Sequence, residues 1–219
     1  MTLSKALATG LLALIPLSTP ALAGPIPIAG DEAADAGLTP QHDPSCFEVY
    51  SGIGSGILYY YPDAYAIFDD AHTTQTGDAP LCAFTLVGRN FEAGPQSIFV
   101  SFHAGDAADG VPGALTAGPF EVVFPVAGST QTIHFEAPSG YVTPNVWIKF
   151  EWPAGTGLLA IRGSTGASIG STHDVLYDPQ TAAFDDWGAT FAGFHSIVYT
   201  SPPVPAQTAT WGAVKAIYR

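Results

Sequence analysis

Five residues near the middle of the chain, Asp106-Ala107-Ala108-Asp109-Gly110, set two carboxylates three positions apart beside a glycine. Loops of this kind can offer calcium the oxygen ligands it takes at about 2.3–2.6 Å. Asp69 and Asp70, at the end of an earlier aromatic run, are the acids that could join Asp106 and Asp109 in one metal site. The alternating acids and distal glutamate of an EF-hand loop are missing. The plainer reading of Asp109-Gly110 is a hairpin turn, because both residue types tolerate positive φ. A second group of acids, Asp174, Asp178, Asp185 and Asp186, carries the same two readings, and Asp178-Pro179 reads most simply as a turn.

Aromatic residues offer a different chemistry. Tyr177, Phe184 and Trp187 fall in an apparent loop region, and Tyr59-Tyr60-Tyr61 form a run. Exposed rings stack on the apolar faces of sugars, which makes Tyr177, Phe184 and Trp187 the candidate ligand-stacking residues. The competing reading is core, since aromatic side chains stabilise mainly by burying their large area. Trp147 and Trp152 fall on opposite faces of one strand, so at least one of them belongs to a core.

Nucleophilic catalysis has less behind it. The serines of Gly54-Ser55-Gly56 and Gly163-Ser164-Thr165-Gly166 match no Gly-x-Ser-x-Gly elbow. Six histidines, His42, His72, His103, His134, His173 and His195, are scattered without the His-x-x-x-His or His-Glu-x-x-His spacing of zinc sites. His103 and His134 fall in expected strands and could meet across a sheet, but read as polar-face residues. No two acids can be placed at the separation of about 5–9.5 Å that a glycosidase pair needs. No catalytic residue is therefore assigned.

The elements that must position these residues are strands. Ile98, Val100 and Phe102 share one face of a run, as do Phe120, Val122 and Phe124, and Val146, Ile148, Phe150 and Trp152 alternate with Trp147, Lys149 and Glu151. Alternation with period two marks strands with one buried face. Ile133 and Phe135 alternate with His134 and Glu136, and further strands are expected over 47–50, 57–61, 64–68, 82–87, 158–162, 189–191, 196–200 and 211–218. Turn signals at 92–95, 109–113, 127–129 and 138–140 separate several of them. Roughly ten short strands at this spacing predict an all-β fold, a two-sheet antiparallel β-sandwich of jelly-roll-like form, with a closed barrel as the alternative.

The first residues read as a secretory signal. Lys5 precedes an apolar run from Ala6 to Leu17, which breaks at Pro20 and ends in Ala21-Leu22-Ala23. That run is shorter than the roughly 20 residues a membrane-spanning helix needs. Cleavage after Ala23 removes 23 of 219 residues and leaves 196, a length that suits one sandwich domain. The expected organisation is a signal over 1–23, an acidic tether with little structure over 24–45 and one domain over 46–219. No transmembrane segment is expected in the mature chain. In an exported protein Cys46 and Cys82 have one pairing open to them, and no Cys-x-x-Cys suggests redox chemistry. Losing the leader removes Lys5 and no acid, so the net charge of −13 becomes −14, which disfavours nucleic acid as a partner.

Phe68-Asp69-Asp70, the loop with Asp106, Asp109-Gly110 and Pro112-Gly113, Pro144-Asn145-Val146-Trp147-Ile148, Gly157-Leu158-Leu159, Gly170-Ser171 and Asp186-Trp187 follow one another in an order that resembles secreted bacterial β-sandwich domains. Many members of that group are uncharacterised surface or exosortase-sorted proteins. The resemblance spans roughly residues 63–199 and implies a jelly-roll-like sandwich outside the cytoplasm, without an assigned reaction. The C-terminal sorting tail of the sorted members is not seen, which points to free secretion or a periplasmic location. The expectation is a non-catalytic module, structural or bound to an extracellular glycan or surface component, with calcium the one cofactor suggested. The alternatives are a calcium-stabilised carbohydrate-binding module and a small secreted hydrolase.

Overall fold

The computed structural model describes residues 45–202 apart from 62–63, 107 and 187–192, together with the backbone of 26–29. The strands expected over 189–191 and 211–218, the signal over 1–23 and Trp187 lie outside the described residues. In chain order the strands are β1 (Ile26–Ala29), β2 (Phe47–Tyr60), β3 (Tyr65–His72), β4 (Ala79–Asn90), β5 (Gln96–Ala104), β6 (Leu115–Phe124) and β7 (Thr130–Glu136). They continue as β8 (Tyr141–Val142), β9 (Asn145–Trp152), β10 (Leu159–Ile169), β11 (Val175–Asp178), β12 (Ala183–Asp186), β13 (Gly193–Phe194) and β14 (Ser196–Thr200).

Two antiparallel sheets face each other as a β-sandwich. The second sheet has the order β12-β11-β3-β9-β5-β6. In the first sheet, β2 pairs with β14 through its first half and with β10 through the rest. β4 pairs with both β14 and β10, so these four strands close a hydrogen-bonded circuit. The faces predicted from alternation form the core between the sheets. Ile98, Val100, Phe102, Val122, Phe124, Val146, Ile148, Phe150 and Trp152 pack against Phe84, Leu86, Leu159, Ile161 and Val198. Burying one such large side chain stabilises the fold by about 1.5–3 kcal/mol. The buried Trp152 indole also donates to the Leu159 carbonyl at 2.8 Å.

Three expectations change. The runs over 47–50 and 57–61 are one strand, because Gly52–Gly56 continue the ladder to β10 through register shifts. Its glycines at 52, 54 and 56 leave no apolar alternation to read, yet they let neighbours close in: a Cβ on Gly54 would sit 2.7 Å from His195 Nδ1. The tether contains β1, antiparallel to the end of β2, with Pro27 in a sheet-edge strand, where a missing N–H is tolerated. The acidic stretch after Ser171 is a pair of short strands, β11 and β12, which extend the second sheet beyond β3.

Candidate binding face of the second sheet

Alternation along β3 decides the geometry of the site. Tyr65, Ile67 and Ala71 face the core, and Asp69 lies on their side. Phe68, Asp70 and His72 face outward, opposite Lys149, Trp147 and Asn145 of β9. Adjacent residues of a strand point to opposite faces, so Asp69 and Asp70 cannot share a site. The four acids expected to gather as metal ligands are thus divided by the sheet.

Asp70 anchors the loop that follows β10. Its Oδ1 accepts the Thr172 hydroxyl at 3.0 Å and the Val175 amide at 3.3 Å. Its Oδ2 accepts the His173 amide and faces His173 Nδ1, both at 2.8 Å. Asp106 approaches from the β5–β6 loop. Its Oδ1 accepts the amides of Ala108 and Asp109, a side-chain cap on the turn. Its Oδ2 is buried and accepts no hydrogen bond among the described residues. That oxygen lies 3.5 Å from His72 Nδ1 and 4.0 Å from His173 Nδ1. Asp109 Oδ2 accepts from Asn145 Nδ2 at 2.7 Å, and the Gly110 carbonyl accepts from the Trp147 indole at 3.2 Å. The loop is therefore laced to β9.

Asp70 and Asp106 come together, Asp109 is spent on Asn145, and Asp69 is inside. These residues fit calcium poorly. Asp106 Oδ1 already caps the turn, Asp109 Oδ2 is bonded to Asn145, and Asp106 Oδ2 has imidazole nitrogens at 3.5 and 4.0 Å. Among the described residues no three His, Cys, Asp or Glu are grouped so as to hold a metal ion. The turn reading of Asp109-Gly110 is what the hydrogen bonds describe. The histidines were missed by sequence reasoning. His72 could have been found, because it lies two residues beyond Asp70 and so on the same face. His173 follows a turn, and no local pattern marks it.

The aromatic candidates do meet. Tyr177 and Phe184 are cross-strand partners, with ring centroids 5.2 Å apart and planes at 54°. Phe68 and Trp147 continue the cluster beneath them. Trp147 is fully covered, whereas Phe184 is 46% exposed at the rim. The rings form a tilted corner, not a flat platform. Trp152 is equally buried, so both tryptophans of β9 are covered, one on each side of the sheet.

Electrostatics separate these groups. Asp69 sits wholly inside, and burial, reinforced by the Asp70 charge, raises its carboxyl well above the usual range. The hydrogen bond from the Phe194 amide to its Oδ2, at 2.7 Å, works the other way. The hydrogen bond to Asp70 is the largest cause raising His173 above the ordinary imidazole value. Burial opposes that rise, and the Asp70, Asp106 and Asp174 charges add to it. Burial lowers His103. His103 and His134 do not converge: one lies on β5 of the second sheet, the other on β7 of the first. His103 Nε2 does lie 3.2 Å from Ser101 Oγ, with Nδ1 3.2 Å from the Gly113 carbonyl. This is the contact an activated serine needs, but Ser101 is only 4% exposed and offers a substrate little access.

Cys46 and Cys82 form a disulfide with Cα atoms 6.1 Å apart. A cavity of about 370 Å³ opens beside it, lined in part by Ser45, His134, Glu136 and Ser201. Its histidine is bonded to Thr85 and packs edge-on against Tyr199. No helix among the described residues is long and apolar enough to cross a membrane. No family model, curated protein or solved structure matches this chain.

Proposed function

We propose that this is an exported, non-catalytic β-sandwich module that attaches a surface component through the outer face of its second sheet. The observation that carries the reading is the aromatic corner of Tyr177 and Phe184, open at Phe184 and backed by Phe68 and Trp147. Backing matters because rings held by other rings lose little freedom when a ligand stacks on them. The groups that could do chemistry nearby are committed to holding loops: Asp70 to the 172–175 segment, Asp106 and Asp109 to their turn. The apolar leader-like run of residues 6–17 and the disulfide support export, since disulfides persist in oxidising compartments.

A glycan is the favoured ligand class. A tilted pair of rings suits one sugar ring seated in the corner better than a chain lying flat. Co-sedimentation of residues 24–219 with cellulose, chitin and peptidoglycan tests this. Binding to one of them should weaken about 3- to 10-fold in Phe184→Ala, the scale of one aromatic contact worth about 0.5–1.5 kcal/mol. Equal binding by wild type and variant would remove the corner as the site. Failure to bind any of the three polysaccharides would sink the glycan reading and leave a structural role.

A further inference from the structure

The geometry points to a proton-operated clasp, in which His173, when charged, holds the buried carboxyls of Asp70 and Asp106 and so locks two loops onto the second sheet. Three segments meet here: the end of β3, the β5–β6 loop and the loop from Gly170 to Val175. Asp106 is 1% exposed, and its Oδ2 accepts no hydrogen bond among the described residues. Leaving a buried acceptor unsatisfied costs about 1–3 kcal/mol, more if it is charged. Among the described residues, the ion-pair partners of that oxygen are the two imidazoles, at 3.5 and 4.0 Å. Both side chains are near half exposed, at 46% and 44%, so protons reach them from solvent while the carboxyls stay covered.

The groups that face His173 are Asp70 from β3, Asp106 from the β5–β6 loop and Asp174 from its own loop, and His72 Nδ1 lies 3.5 Å from Asp106 Oδ2. All three charges around His173 are acidic, so its proton is retained more firmly in the folded chain than in the unfolded one. Stability from a raised histidine is fully present below its unfolded pKa and lost as pH rises through the folded value. The clasp is therefore closed in mildly acidic surroundings and slackens above neutrality. When it slackens, the Asp106–Gly110 turn keeps its own cap and its bonds to Asn145 and Trp147, but the link from Asp106 to β3 and His173 weakens. This inference does not depend on what the aromatic corner binds.

Amide hydrogen exchange of residues 24–219 at pH 5.5 and pH 8.0, corrected for intrinsic rates, tests it. Protection of residues 105–114 and 170–175 should fall at least about fivefold at the higher pH while β9 keeps its protection, since loops open locally with their own free energies. In His173→Gln, which can still donate to Asp70, most of that fall should disappear. Equal loop protection at both pH values in the wild type would overturn the clasp, as would a pH response that survives His173→Gln. Zinc chloride that restores loop protection at pH 8.0 would assign the cluster to a metal and overturn it too.

Discussion

Asp69 and Asp70 are neighbours in sequence with opposite fates. Asp70 has four contacts to the loop it anchors, whereas Asp69 faces the core with one accepted amide and an Oδ1 that has no hydrogen bond among the described residues. Burial first, and then the charge of Asp69, raises the buried Tyr50 hydroxyl, also without a hydrogen-bond partner among the described residues, well above its ordinary pKa. An acid whose folded pKa is raised stabilises the fold below its unfolded pKa, and that stability is lost as pH climbs from there to the folded value. Wild-type stability should therefore decline from about pH 4, the unfolded aspartate value, upward. Asp69→Asn keeps an acceptor for Phe194 and cannot ionise. In urea titrations from pH 4 to 8 it should decline less steeply than wild type. A slope identical to that of wild type would mean that Asp69 does not titrate in this window.

At the scale of elements, the loop bearing His173 is held at its root by backbone. His72 and Ser171 exchange two amide–carbonyl bonds, at 2.7 and 2.9 Å, and Gly170 precedes them at φ +74°. A Cβ there would lie 2.2 Å from the His72 carbonyl oxygen, which is main chain and cannot swing aside. Gly170→Ala should cost about 1–3 kcal/mol, the scale of strain at a special φ, and should lower the thermal midpoint. An unchanged midpoint would show that the root can shift without loss. The sequence made the strand faces legible wherever large apolar residues alternate, as in β5, β6 and β9, because one buried face demands that pattern. It hid β2 where glycines carry no side chain, and β11 and β12 where acids and turn residues dominate. Asp69, Asp70, Asp106 and Asp109 read from sequence as one group of acids, of which the alternation of β3 turns Asp69 inward and Asp70 outward. The approach of His173 was not legible, since the meeting of β3 with a loop a hundred residues later is set by sheet order.

Across the whole molecule, the disulfide closes the circuit of the first sheet at one end. Thr200 of β14 pairs with Phe47 on one side and Leu81 on the other, and Cys46 and Cys82 are the neighbours of those two residues. The bridge thus ties β2 to β4 across the end of β14, two strands that β14 would otherwise join by hydrogen bonds alone. Cys46, Ala83 and Tyr199 form a small buried cluster around it, with Ile197 packed against them. The closed loop spans 36 residues, which the chain-entropy model values at about 4 kcal/mol. That is a large share of the roughly 5–15 kcal/mol that holds a typical domain together. Replacing both cysteines with serine should therefore lower stability by about 2–4 kcal/mol in urea titrations at fixed pH. Hydrogen exchange should rise first in β14, because its anchors on both sides are then free to part. A loss below about 1 kcal/mol would mean that strand pairing around the circuit already restrains this end of the sheet.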